Sequence, residues 1–186
     1  FDDTGFADYR IVSEAGFTKN DLKSIEDMDG VDRASRYVCV NADVKGRDGD
    51  SVALTVTENE DVSGFMVVQG DAYDSKSTDG IWLSDRYAGA NDIAAGDKLT
   101  LEYKNFEIKG EVKGLIKASE HMVCVRDETQ IMPDYDTYGY AYISPVFYEK
   151  AAGFEYYPQI NVISDMSKKA FTDEADDALD RTLLIL

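Results

Sequence analysis

Two periods of hydrophobic and polar positions alternate along this chain, and each change of period marks an element. Asp8 to Val12 (DYRIV) is a short apolar run that predicts a strand. Leu22, Ile25 and Met28 then recur at helical spacing, predicting a helix over 18–28. Thr18 is its expected N-cap with Asp21 as the capping-box acid, and Phe17 and Leu22 hold the two positions of a hydrophobic staple. Gly30 stands where a helix stops on a left-handed residue. From Val31 to Val44 the period becomes two, with Arg36, Val38 and Val40 on one face. The polar loop KGRDGD, Lys45 to Asp50, leads into another strand, Ser51 to Thr57. This β-α-β-β order predicts a small two-layer α/β unit.

The middle of the chain changes character. Phe65 to Val68 is an apolar run, followed by a loop carrying Asp71, Asp74 and Asp79. Ile81-Trp82-Leu83 predicts a strand, Ser84 a helix N-cap, and Asp85 a favourable charge at the helix dipole. Gly96-Asp97 predicts a tight turn with positive φ or a crowded backbone at the glycine. Leu99, Leu101 and Tyr103 then alternate with Thr100, Glu102 and Lys104, and Phe106, Ile108 and Val112 continue the apolar face. Gly110 and Gly114 suggest bulges or strand ends in that hairpin. Further strands are expected at 120–126 (EHMVCVR), at Tyr138 to Tyr142 and at 159–164 (QINVIS). Thr172 would cap a last helix whose inner stripe is Ala175, Ala178, Leu179 and Thr182 or Leu183.

Composition narrows the function. The 37 acidic against 19 basic residues leave a formal charge of −18, which argues against nucleic acid and against an anionic lipid surface. With 44% hydrophobic residues in 186, the chain can bury a core. No run approaches the roughly 20 apolar residues of a membrane span. The apolar close Leu183 to Leu186 reads as part of a piece cut from something longer.

Candidate chemistry is sparse. His121 is the only histidine, so a two-histidine metal site within the chain is excluded, and no G-x-S-x-G elbow accompanies it. A P-loop pattern is absent, and the acids of 71–79 and of Asp27-Met28-Asp29-Gly30 lack EF-hand spacing. Cys39 and Cys124 each lie in a β-like apolar run and read as two buried thiols, their pairing left open. Tyr138, Tyr140 and Tyr142 would share one face of a strand. They are either a stacking platform for a sugar or peptide or cross-strand packing on a half-buried sheet, and they are the candidate ligand surface.

The order Leu83, Ser84, Ala88, Gly96, Asp97, Leu99, Leu101, Val112, Gly114, Leu115 resembles a segment of the extracytoplasmic domain of MacB/FtsX-like ABC transporter permeases. The stretch Tyr142-Ile143-Ser144-Pro145 with Phe147, Tyr148 and Ala151 is similar to the element that returns the chain to the first subdomain in that family. The resemblance implies an α+β fold: a two-layer α/β unit from 1–80 with 138–186, and an inserted β-rich subdomain, 81–137. It implies a non-catalytic domain without cofactor or metal, on the extracytoplasmic side of the plasma membrane. Its partner would be a cytoplasmic ATPase, reached through membrane helices flanking this segment, with a second permease copy as a further partner. Phe1 and Leu186 should then emerge on one side of the fold. The alternative is a free-standing cell-surface module binding a peptide, glycan or cation.

Overall fold

Thr18 starts the first helix as its sequence requires. In the computed structural model, which describes residues 5–121, 124–126 and 132–164, its hydroxyl accepts from the Asp21 amide at 3.2 Å while Asp21 accepts from the Thr18 amide at 2.7 Å. The helix α1 spans Lys19–Glu26 and ends before the expected Met28, with Asp27 as C-cap. Gly30 has φ +90 at the turn into the next strand. Leu22 and Ile25 of α1, with Phe17, pack on the outer strands β1 (Tyr9–Val12), β2 (Val31–Val44) and β9 (Gln159–Ser164).

The remaining elements are β3 (Ser51–Thr57), β4 (Phe65–Gly70), β5 (Gly80–Ser84), α2 (Asp85–Ala90), β6 (Lys98–Tyr103), β7 (Phe106–Ala118), β8 (Tyr138–Ile143) and α3 (Pro145–Ala152). Among the described residues the strands form one sheet in the order β1-β9-β2-β3-β8-β5-β7-β4, and β6 pairs with both β2 and β7. That double pairing closes β2, β3, β8, β5, β7 and β6 into a ring of six strands. The α+β class holds. The expected boundaries, 1–80 with 138–186 against 81–137, coincide with no break in hydrogen bonding: β5 pairs antiparallel with β8, and β8 parallel with β3.

Alternation sends one face of each ring strand inward. Val52 and Leu54, Ile81 and Leu83, Ile108 and Val112, Ala141 and Ile143 join one core, with Tyr87 of α2 and Phe147 of α3 against it. The opposite face carries a second core built on Trp82, Ile116, Tyr138, Tyr140 and Tyr142. In β7 the register slips beside Trp82, so Leu115 stays in the first core while Ile116 moves to the second. The bulge expected near Gly114 is therefore present, but β7 runs unbroken past Gly110 and Gly114.

Three local expectations are corrected. The strand expected over 120–126 is replaced at its start by a 3-10 turn, Ser119–His121, and 124–126 form no strand. Glu120 turns inward there to accept from the Ala7 amide at 3.1 Å and the Ser63 hydroxyl at 2.9 Å, bonds an extended strand would forgo. Ser84 precedes α2 but does not cap it, because its hydroxyl accepts from the Tyr140 amide at 3.3 Å. Met28 lies beyond the helix and is 36% exposed. The expected last helix and both chain ends lie outside the described residues. What is described at that margin is specific: the Asp8 amide donates to Val162 O at 2.9 Å, and the Asp8 carboxylate accepts from the Ser164 amide at 2.8 Å. The first and last described strands thus meet side by side.

Candidate functional site

Tyr138, Tyr140 and Tyr142 do share one face of β8, and that face is packed. The three are 4%, 7% and 0% exposed. Their hydroxyls are committed: Tyr138 to Asn41 Oδ1 at 2.6 Å, Tyr142 to Ser63 O at 3.1 Å, Tyr140 accepting from the Ala118 amide at 3.2 Å. Burial raises all three hydroxyls, Tyr140 to about 12. The Phe65 ring tilts against Tyr142 at 4.5 Å, and Tyr73 meets Trp82 edge-on at 4.8 Å. The alternation therefore builds an aromatic core, with cross-strand packing as its physical content.

His121 joins this core. Its Nε2 lies 3.1 Å from the Thr55 hydroxyl, and its ring stacks on Tyr140 at 4.8 Å. Desolvation lowers its pKa to about 4, so the ring is neutral at physiological pH. Thr55 is 0% exposed, so its hydroxyl lies in the core, while the half-buried His121 ring also lines a recess. Of the two cysteines, Cys124 is buried, and burial first and Cys39 second raise its thiol to about 12. Cys39 is exposed, a correction to the expected pair of buried thiols. It sits in the outward register of β2, between Val38 and Val40, which face the first core. Both thiols are free.

Among the described residues, carboxylates gather in one place that spacing could not show. Oxygens of Glu58, Glu149 and Glu155 lie within 4.8 Å of one another. The cluster already holds a cation: Arg36, 1% exposed, donates to Glu58 at 2.6 and 2.7 Å, to Phe17 O at 3.0 Å and to Glu155. Its guanidinium also lies 4.4 Å over the Tyr157 ring, whose hydroxyl donates to Glu149 at 3.1 Å. This is a paired interior charge with its bonds filled, as a buried ion must be. Asp74 and Asp79 are turned onto their own loop, Asp74 accepting from the Lys76 amide at 2.9 Å and Asp79 from the Ser77 hydroxyl at 3.4 Å.

Besides a cleft of about 340 Å³ at Arg36 and Glu155, open space lies in two further places. A groove of about 430 Å³ runs over Val38, Val40, Leu54 and Val56 and is walled by aromatic side chains. A smaller recess of about 180 Å³ is lined by Arg86, Lys117, His121, Cys124, Tyr135 and Tyr140, among others. The sequence pointed to neither. Val38 and Val40 were legible as one strand face, but Phe154 and Tyr156, which help wall the groove, lie between elements where no period marks them.

No protein-family model and no curated protein matches the chain. Among solved structures it is similar to the periplasmic region of MacB from Actinobacillus actinomycetemcomitans, 15% identical over 94% of this chain and 74% of that one, with a TM-score of 0.48. The extracellular domain of the noncanonical ABC-type transporter YknZ from Gram-positive bacteria is 14% identical over 91% of this chain and 86% of that one, with a TM-score of 0.57. The chain therefore has the fold of an ABC-transporter extracellular domain, the fold its 81–116 pattern resembles.

Proposed function

We propose that this chain is the non-catalytic extracytoplasmic domain of an ABC transporter permease. The observation that carries the reading is a shared fold over nearly the whole of a transporter's extracellular domain. Two features support it. Strands β1 and β9 lie side by side, with Asp8 bonded to Ser164, an arrangement that suits a domain hung between neighbouring membrane helices. The one histidine, His121, is paired with the buried Thr55 hydroxyl and stacked on Tyr140. Among the described residues no helix is long and apolar enough to cross a membrane, so anchorage falls to flanking segments. A cytoplasmic ATPase supplies the energy in this reading. The membrane helices carry its motion to this domain, and a second permease copy is the surface it moves against.

The test is the full-length product of the gene, tagged and expressed with its neighbours. It is expected to stay in the membrane fraction through an alkaline carbonate wash and to co-purify with a subunit that hydrolyses ATP. Release by carbonate, with no ATPase attached, would overturn the reading in favour of a free-standing surface module.

A further inference from the structure

The ring of strands is open along one seam. β6 meets β2 at Asp43 and Val44, with the Lys45 amide donating to Thr100 O just beyond, so the inward face of β2 continues past the closure on the other side. There Val38 and Val40, with Leu54 and Val56 of β3, form an apolar floor. One wall is the tip of the β6–β7 hairpin, where Tyr103 and Phe106 meet edge-on at 5.6 Å. The other is Tyr148 of α3 with Phe154 and Tyr156 from the segment leading to β9. The enclosed 430 Å³ falls in the range of small-molecule sites, roughly 300–1,000 Å³.

Two hydroxyls of the aromatic wall are already engaged. The Tyr148 hydroxyl donates to Tyr156 O at 2.8 Å, and the Tyr156 hydroxyl to Glu14 O at 3.0 Å. Phe154 is nevertheless 55% and Tyr156 37% exposed, apolar surface that an occupant would remove from water. At the rim stands Lys104, in the two-residue turn of the hairpin, with φ +50, a left-handed conformation that side chains such as lysine adopt at a cost. Its Nζ lies 5.0 Å over the Tyr103 ring, and among the described residues it meets no carboxylate. This holds in a chain of 37 acids, where the adjacent Glu102 is taken by Lys45 at 2.7 Å and Glu107 by Lys109 at 2.6 Å. An apolar trough thus ends on an unneutralised cation.

We propose that the groove binds a small amphiphile, its apolar body on Val38, Val40, Leu54 and Val56 and its anionic head group against Lys104. The floor and walls supply non-directional affinity, and the lysine selects the sign of the head group. The proposal stands on the groove alone and holds whether or not the chain serves a transporter.

The test is titration of the 186-residue chain, with ¹³C-labelled Val and Leu methyls, with dodecanoate below its micelle concentration. Saturable shifts confined to the Val38, Val40, Leu54 and Val56 methyls are expected. Lys104→Asn, an exchange the left-handed turn accepts, should weaken dodecanoate binding roughly tenfold while leaving dodecan-1-ol binding unchanged. Dodecyltrimethylammonium should bind more weakly than dodecanoate to the unaltered chain. Shifts that spread over the molecule or never saturate would overturn the proposal. So would indifference to Lys104→Asn, or groove shifts that follow protein concentration alone, which would mean that a second copy fills the trough.

Discussion

Arg36 and His121 show how single side chains in this molecule are fixed by what surrounds them. Both lie in strand-like stretches, and both meet partners far away in sequence: Arg36 meets Glu155 and His121 meets Thr55. Arg36 keeps its charge because two carboxylates receive it, whereas His121 loses its charge because burial outweighs the pull of Glu120. The histidine makes stability depend on pH with a definite sign. Its folded pKa is lowered to about 4 from an ordinary 6.5, so between those values the unfolded chain takes up a proton that the folded chain refuses. Stability is full above pH 6.5 and falls as pH drops towards 4, by at most about 1.4 kcal/mol per pH unit from this group. His121→Gln keeps a donor for Thr55 and should flatten that slope relative to the unaltered chain, read from urea unfolding at pH 4.5, 5.5 and 6.5. Parallel curves for the two proteins would show that the ring is solvated. None of this was visible in the sequence, where His121 read as part of a strand over 120–126, because its neighbours are brought by β3 and β8.

At the scale of elements, local chemistry was legible and close approach was not. The capping box of Thr18 and Asp21, the alternation of β2 and the Gly96 turn all stand where the pattern put them. Gly96 has φ +100 with nothing within 4 Å of an added Cβ, so conformation alone demands glycine there. Gly139 is the opposite case. A Cβ there would meet Tyr87 Cβ at 2.5 Å and Ser84 Oγ at 2.7 Å, holding β8 against α2. Gly139→Ala should therefore cost about 2–3 kcal/mol through overpacking. Gly89, in α2 with nothing within 4 Å, should gain about 0.5–1 kcal/mol as alanine. Denaturant midpoints of the two variants are expected on opposite sides of the unaltered chain. A neutral or stabilising Gly139→Ala would mean that β8 and α2 are not packed this closely, and a destabilising Gly89→Ala that the α2 surface there is not open. The turn residues announced themselves because φ is a local property. The glycines of contact did not, since the atoms that crowd them come from other elements.

For the whole molecule the pattern of elements was enough to reach the class but not the closure. Sequence order suggests two units joined at 81 and 138, and the hydrogen bonds of β6 to β2 and of β5 to β8 draw both into one ring. A strand's partners depend on register over long range, which a period of two leaves open. The ring has a mechanical consequence. β2 runs from the margin shared by Asp8 and Ser164 to the exposed loop at Asp48, so a tilt at the chain's paired strands is carried through a continuous strand of about 45 Å. The most direct test of a domain that moves with a transporter's ATP cycle is therefore the distance between such loops. Spin labels at Asp48→Cys, in the assembled full-length protein with Cys39→Ser, report it; buried Cys124, its thiol raised to about 12, stays unlabelled. Pulsed dipolar spectroscopy should show a distance between two copies that shifts when nucleotide is trapped with vanadate. A distribution that is the same with and without nucleotide, or no dipolar coupling at all, would contradict the account.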